Sequence, residues 1–227
     1  MRINLTVGVL VAAGSALRMG MGINKNLIII NDKPILYYSL LKFVENENID
    51  RVIVVAKKDD YETISKIIRE FGDTKKIEIV LGGDTRQKSV YNALRSIVGI
   101  CEYVVIHDAA RPIISNDIIN DAIKNAKKFG AATASIKMRD TCSSLDGDFL
   151  GDIIDREKLC IIQTPQAFKY ELIYEAHNEA IKNDFIATDD SSLITYIGGK
   201  VQLSKGAYSN IKITLKEDLD LANKLCK

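Results

Sequence analysis

Apolar residues arrive along this chain in two rhythms. Short stretches at 7–11 (VGVLV), 51–56 (RVIVVA), 77–81 and 103–107 (YVVIH) are nearly continuous in apolar residues, as strands buried on both faces of a parallel sheet are. Between them the apolar positions recur every three or four residues, which predicts helices over 35–44, 59–71, 87–98 and 116–129. In the second of these, Ile64, Ile67, Ile68 and Phe71 share one face, and Pro34 stands where the first begins. A strand is predicted at 131–137, helices at 169–182 and 189–197, a strand at 200–203 and a closing helix at 216–225. This alternation predicts an α/β fold with a mostly parallel twisted sheet and helices on both faces. Sheets of that kind bind ligands at the carboxyl ends of their strands.

The rhythm fails over 138–162. Leu145-Asp146-Gly147-Asp148 carries turn residues there, with weak alternation on either side, so a protruding β-arm is expected. An arm has little core of its own, and packing against a second copy of the chain would bury Phe149, Leu150, Ile153 and Ile154. A long surface excursion is the plainer alternative. The organisation expected is one domain over 1–227 with a dimerisation arm at about 138–160.

Composition narrows the partners. With 31 basic and 30 acidic residues the net charge is +1, so the broad basic footprint of a nucleic-acid binder is missing and any anion site is local. Cys101, Cys142, Cys160 and Cys226 are scattered, with only His107 and His177 beside them, which predicts reduced cytoplasmic thiols with neither a disulfide framework nor a protein-held metal. No apolar run approaches the roughly 18 residues of a membrane span, so a soluble, unexported protein is expected.

Candidate chemistry lies at the predicted strand ends. After the first strand, Ala12, Ala13 and Gly14 leave room for backbone N–H groups to meet phosphate oxygens, and Arg18 and Lys25 follow as a guanidinium fork and a point charge. An ordinary strand-to-helix turn with surface cations reads the same way. Residues 82–89 (GGDTRQKS) can bring backbone carbonyls close to a flat base, or merely reverse the chain. In 107–112 (HDAARP), Asp108 can order Mg²⁺ or accept a sugar hydroxyl, while Arg111 can hold a phosphate or pair with Asp108. A fourth, dispersed set comprises Asp140-Thr141, Asp155-Arg156, Gln163-Thr164-Pro165-Gln166 and residues 210–214 (NIKIT). Thr188 and Asp189 open an apolar-periodic segment, so Asp189 is expected to cap a helix.

In order, AAG…RMG…NK, GGDTRQKSVYNAL, HDAARP, DT, DR, QTPQAF, TDDSSL and NIKIT resemble the 2-C-methyl-D-erythritol 4-phosphate cytidylyltransferase family nearly end to end. The resemblance implies a Rossmann-like nucleotidyltransferase fold and a homodimer clasped by the arm. The implied reaction joins CTP to a sugar-alcohol phosphate with release of pyrophosphate, using Mg²⁺ held mainly by the CTP phosphates. It further implies that Arg18 and Lys25 stabilise charge on the triphosphate, that Arg156 and Lys212 position the incoming phosphate, and that Ala12, Ala13, Gly14, Gly83, Asp84 and Ser89 surround the nucleotide. Asp108, Arg111, Thr141 and Thr164 would line the polyol pocket, some of them arriving from the partner subunit. The chain departs from the family pattern at Ala16, Asn24 and Asn26, and Cys142, Ser143 and Ser144 stand where a lysine commonly follows the Asp-Thr pair. These last departures touch the polyol half of the site and leave the CTP half alone.

Rival classes fit less well. A ribitol-5-phosphate cytidylyltransferase would share the fold and the arm, but RQKSVYNAL and QTPQAF favour the erythritol enzyme. A nicotinamide dehydrogenase requires G-x-G-x-x-G and a P-loop requires G-x-x-x-x-G-K-[ST], and neither occurs in the loops. A non-catalytic nucleotide-binding protein would not need Arg18, Lys25, Arg156 and Lys212 together, because charges used only in the transition state bring a pure binder nothing.

Overall fold

The computed structural model describes residues 5–14, 24–72, 76–99 and 101–226. The first strand, β1 (Thr6–Val11), sends alternate side chains to opposite faces: Val7 and Val9 into one core, Leu10 into the other. Two very short strands, β2 (Ile29–Ile30) and β3 (Lys33–Pro34), form a minimal hairpin. Asn31 and Asp32 turn it at φ 44° and 68°, a left-handed region that these two residue types tolerate.

Helix α1 (Ile35–Glu45) follows, burying Ile35, Leu36, Leu40 and Phe43, then β4 (Arg51–Ala56). The predicted helix at 59–71 is shorter, α2 (Tyr61–Arg69), because a 3-10 turn at Lys58–Asp60 takes up its start. The units β5 (Lys76–Leu81) with α3 (Arg86–Ser96), and β6 (Tyr103–Asp108) with α4 (Asn116–Phe129), continue the alternation into β7 (Ala131–Lys137).

The expected arm is a hairpin of β8 (Cys142–Asp146) and β9 (Phe149–Ile154), forming its own two-stranded sheet around Gly147 at φ 59°. After it comes β10 (Cys160–Lys169), ten residues whose strand character the hydrophobic pattern does not announce, since Gln163, Thr164 and Gln166 are polar. Helices α5 (Tyr170–Lys182) and α6 (Asp190–Tyr196) follow. Strand β11 (Gln202–Lys205) lies two residues later than predicted, in parallel register with β7, and α7 (Lys216–Leu225) closes the chain.

The main sheet has the order β11-β7-β10-β6-β1-β4-β5. It is parallel throughout except for β10, which runs antiparallel to both β6 and β7 and shifts register between Ile162 and Gln166, where Pro165 has no N–H to give. One face is covered by α1, α2 and α4 through Leu36, Leu40, Phe43, Ile64 and Ile118. The other is covered by α3, α5 and α6 through Val90, Leu94, Ile173 and Leu193. The chain leaves β1 for β4 and β5 on one side and returns to β6 on the other, so the carboxyl ends of β1 and β6 form the crevice where such sheets take ligands. Among the described residues no helix is long and apolar enough to cross a membrane.

Candidate active site

Two cavities open at that crevice, of about 540 Å³ and about 620 Å³, and Arg86, Asp108 and Lys212 line both. The smaller lies between the end of β1 and the loop after β5. Ala13, Gly14, Gly83, Asp84 and Ser89, five of the residues the resemblance puts around a nucleotide, line it together with Lys25. The two loops touch closely: a Cβ at Gly82 would lie 2.6 Å from the Ala13 Cβ and 2.8 Å from Ser89 Oγ, so only glycine permits this approach. Ser89 Oγ accepts from the Gly83 N–H at 3.1 Å and donates to the Gly83 carbonyl at 3.3 Å, holding the loop open toward the cavity. Asp84 is exposed and its carboxylate reaches Lys88 Nζ at 3.1 Å.

Ala12 does not line the cavity. It is fully buried, with its N–H given to the Val55 carbonyl at 2.9 Å. Its own carbonyl accepts from Asn24 Nδ2 at 2.8 Å and Asn26 Nδ2 at 3.0 Å, so the two departures from the family pattern form a clamp. That clamp fixes the 3-10 turn at Lys25–Leu27 and presents Lys25, whose Nζ donates to the Ile213 carbonyl at 2.9 Å. Arg18 lies outside the described residues, as does Ala16.

The larger cavity is bounded by the β10 segment, the start of α6 and the loop carrying Lys212, with Arg111 and Thr164 in its wall. Here the polar residues of β10 show their purpose. Gln163 Nε2 donates to the Ala207 carbonyl at 2.9 Å, and Asn210 Nδ2 donates to Gln163 Oε1 at 3.2 Å and to the Thr164 carbonyl at 2.8 Å. Arg111 Nη1 donates to the Asn210 carbonyl at 2.7 Å. Residues 207–212 are thereby tied to β10 and β6, and Lys212 emerges beside the end of β6.

At the shared junction, Asp108 Oδ2 lies 2.6 Å from Lys212 Nζ and Oδ1 lies 3.1 Å from Arg86 Nε. Burial pushes the Asp108 carboxyl up, but Arg86 and Lys212 outweigh it and hold the group well below the usual carboxylate range. Its backbone N–H donates to Thr164 Oγ1 at 3.1 Å, and that hydroxyl also meets His107 Nδ1 at 3.0 Å. The His107 ring is fully buried with Nε2 3.2 Å from the Arg111 carbonyl, and burial takes its pKa down to about 4. Burial likewise lowers Arg111.

Sequence reasoning missed Arg86 and Asp190. Arg86 opens α3 after Thr85, whose Oγ1 caps the helix by accepting from Lys88 N–H at 3.1 Å. Its Nη1 reaches Asp190 Oδ2 at 2.7 Å. The only signals were Arg86's place inside the glycine-rich segment and Asp190's place beside Asp189 in TDDSSL, an acidic pair to which the sequence assigns no role for Asp190. Asp189 caps α6 as expected, its Oδ1 accepting from Ser192 N–H at 2.9 Å. Thr141 and Arg156 are exposed at the arm and line neither cavity of their own chain; Arg156 Nη1 donates to the Arg139 carbonyl at 2.9 Å.

A mostly parallel α/β sheet whose switch point opens into a lysine-bearing cavity, beside a second cavity lined mostly by polar residues and sharing a charged junction, is the layout of a nucleotide-binding α/β enzyme. The profile of the 2-C-methyl-D-erythritol 4-phosphate cytidylyltransferase family (IspD) matches residues 6–227, and the chain belongs to that family. The 2-C-methyl-D-erythritol 4-phosphate cytidylyltransferase of Clostridium tetani is 44% identical over 227 residues, covering 100% of this chain and 92% of its own. That of Clostridium perfringens is 45% identical over 224 residues, covering 97% and 98%. Among solved structures, the 4-diphosphocytidyl-2C-methyl-D-erythritol synthase of Anaerococcus prevotii superposes with a TM-score of 0.88 at 31% identity, covering 97% of this chain and 95% of that one.

Proposed function

We propose that this chain transfers the cytidylyl group of CTP to 2-C-methyl-D-erythritol 4-phosphate, giving 4-diphosphocytidyl-2-C-methyl-D-erythritol and pyrophosphate in the non-mevalonate route to isoprenoid precursors. The observation that carries this reading is the pair of adjoining cavities meeting at Asp108, Arg86 and Lys212, one lined by Ala13, Gly14, Lys25 and Gly83 and the other mostly by polar residues. The acceptor's phosphate oxygen attacks the α-phosphorus of CTP, the bond to the β-phosphate oxygen breaks, and pyrophosphate leaves with the electron pair. The nucleophile is already anionic, so no general base is needed. Catalysis reduces to alignment and charge stabilisation.

In this reading Lys25, with Arg18, steadies charge on the triphosphate, and Lys212 holds the acceptor phosphate in line. The glycine loop reads the cytosine through its backbone, while Arg111 and Thr164 border the polyol. Among the described residues no group of three or more His, Cys, Asp or Glu side chains could hold a metal ion, and Asp108 is taken by two cations. In this reading Mg²⁺ would be carried on the CTP phosphates, where it would supply further charge neutralisation. The exposed Leu145, Phe149, Leu150 and Ile153 of the arm fit a homodimer in which Thr141 and Arg156 reach the partner's larger cavity. On this view the protein works in the cytoplasm.

The test is pyrophosphate release from CTP and Mg²⁺ with 2-C-methyl-D-erythritol 4-phosphate, run beside ribitol 5-phosphate and beside UTP or ATP in place of CTP. Release with CTP and the erythritol phosphate alone is expected. Release only with ribitol phosphate would move the substrate, and silence with every pair would leave a non-catalytic binder.

A further inference from the structure

A line of contacts runs from His177, in the interior between α5 and α6, through the alternating charges of Asp190, Arg86 and Asp108 to Lys212. His177 Nε2 lies 3.5 Å from Asp190 Oδ1, Asp190 Oδ2 lies 2.7 Å from Arg86 Nη1, Arg86 Nε lies 3.1 Å from Asp108 Oδ1, and Asp108 Oδ2 lies 2.6 Å from Lys212 Nζ. Asp190 is 1% exposed and lines neither cavity, so it has no ligand to hold. A carboxylate is costly to bury, and the fully charged partner that compensates this one is Arg86. Gln166 fixes its place, Oε1 accepting from the backbone N–H of Asp190 at 3.1 Å.

The two cations on Asp108 differ in freedom. Arg86 is a planar fork set at the first position of α3 and gripped by a carboxylate on each side. Lys212 stands on a loop, reaches Asp108 through a flexible stem, and keeps 35% of its side chain exposed to the cavities. When a phosphate enters, Lys212 is the cation able to turn toward it. Asp108 then stays buried and compensated only if Arg86 remains in place.

We infer that Asp190 is a positioning residue for nucleotidyl transfer: by gripping one edge of Arg86 it keeps Asp108 compensated while Lys212 passes from Asp108 to the phosphate oxygens of the substrate. This rests on the role of Lys212 in the reaction proposed above. Without Asp190 the fork is free to close on both oxygens of Asp108 or on the phosphate itself, and Lys212 loses its seat.

The test is a double-mutant cycle on the full-length protein with Asp190→Asn, Lys212→Ala and both together, read by turnover and by thermal unfolding. Asp190→Asn is expected to lower kcat by about tenfold or more with little change in KM for CTP, and to add nothing, within about twofold, once Lys212 is already alanine. In unfolding, each single change leaves one net charge in the ladder and the double change restores balance. The double variant should therefore lose less in Tm than the sum of the singles. A merely structural aspartate would act independently of Lys212, so additive effects in both readouts overturn the inference. If the unaltered protein releases no pyrophosphate, the functional reading falls by itself, and the unfolding cycle still decides the ladder: additivity there overturns it. Should Asp190→Asn fail to fold, Arg86→Lys, which keeps the charge but loses the fork, takes its place in the turnover cycle, where it too should add nothing within about twofold once Lys212 is alanine, and additive turnover effects overturn the inference.

Discussion

The junction at the end of β6 and the tip of the β8–β9 arm treat their side chains in opposite ways. At the junction the buried charges meet inside one chain: Asp108 is held by Arg86 and Lys212, and Arg86 by Asp108 and Asp190. The arm leaves Leu145, Phe149 and Leu150 exposed at 87%, 77% and 76%. A charge taken from water without a partner costs several kcal/mol, so a buried charged site has to be completed by the chain that carries it. An apolar side chain left in water forfeits only its own transfer free energy, roughly 1.5–3 kcal/mol, and can wait for a second surface. One region is finished by folding; the other fits completion by association.

Breaking the junction gives the largest effects. Lys212→Ala should lower kcat/KM on the order of 10²–10³ while circular dichroism shows the fold retained. Near-normal turnover by the purified variant would remove Lys212 from the reaction. Asp108→Asn leaves Arg86 and Lys212 facing each other with no charge between them, and urea unfolding should show a loss of about 3 kcal/mol. An unchanged midpoint would mean the three groups are less coupled than their distances imply.

The His107 ring beside the junction adds a pH signature. Its folded pKa of about 4 lies below the ordinary 6.5, so as pH falls the unfolded chain takes up a proton first. The stability this neutral, buried ring contributes is fully present above about pH 6.5 and is lost as pH falls toward about 4, by about 3 kcal/mol in all. Unfolding midpoints across that window, compared with His107→Asn, check this, and parallel profiles would refute it. The carboxyls of Asp108 and Asp190 are both held low, so their contribution is lost only below the ordinary carboxylate pKa, under this window.

The arm should respond in the reverse way. Leu150→Asp, at an exposed position, should change the unfolding free energy of a single chain by no more than about 0.5 kcal/mol. If the proposed homodimer forms through the arm, sedimentation should show two copies for the unaltered protein and one for the variant, with turnover falling alongside. A mixture of Arg156→Ala and Arg18→Ala subunits should then regain part of the activity that neither retains alone. No recovery would mean that each site is built from one chain.

Much of the scaffold was legible because its signals are local. Continuous apolar runs marked β1, β4 and β6, and the three-to-four spacing marked α1 and α4 to within a residue. Strand β10 was hidden because Gln163, Thr164 and Gln166 interrupt the apolar run, yet they are only 4%, 4% and 0% exposed and spend their hydrogen bonds on residues 189–191 and 207–210. Asn24 and Asn26 were visible as departures, but that both grip the Ala12 carbonyl was not.

By itself the sequence determined the α/β alternation, the loops at the strand ends, the arm and the ordered motifs that mark the family, since each depends on residues close together in the chain. Only the tertiary structure decided that positions 86, 108, 190 and 212 form one charged junction, that β10 runs against its neighbours, and that Thr141 and Arg156 stand away from their own chain's cavities. The reason is physical. A buried charge is tolerable only beside its counter-charge, and that counter-charge comes from whichever strand end or helix start the packing brings near, at a separation no local pattern encodes.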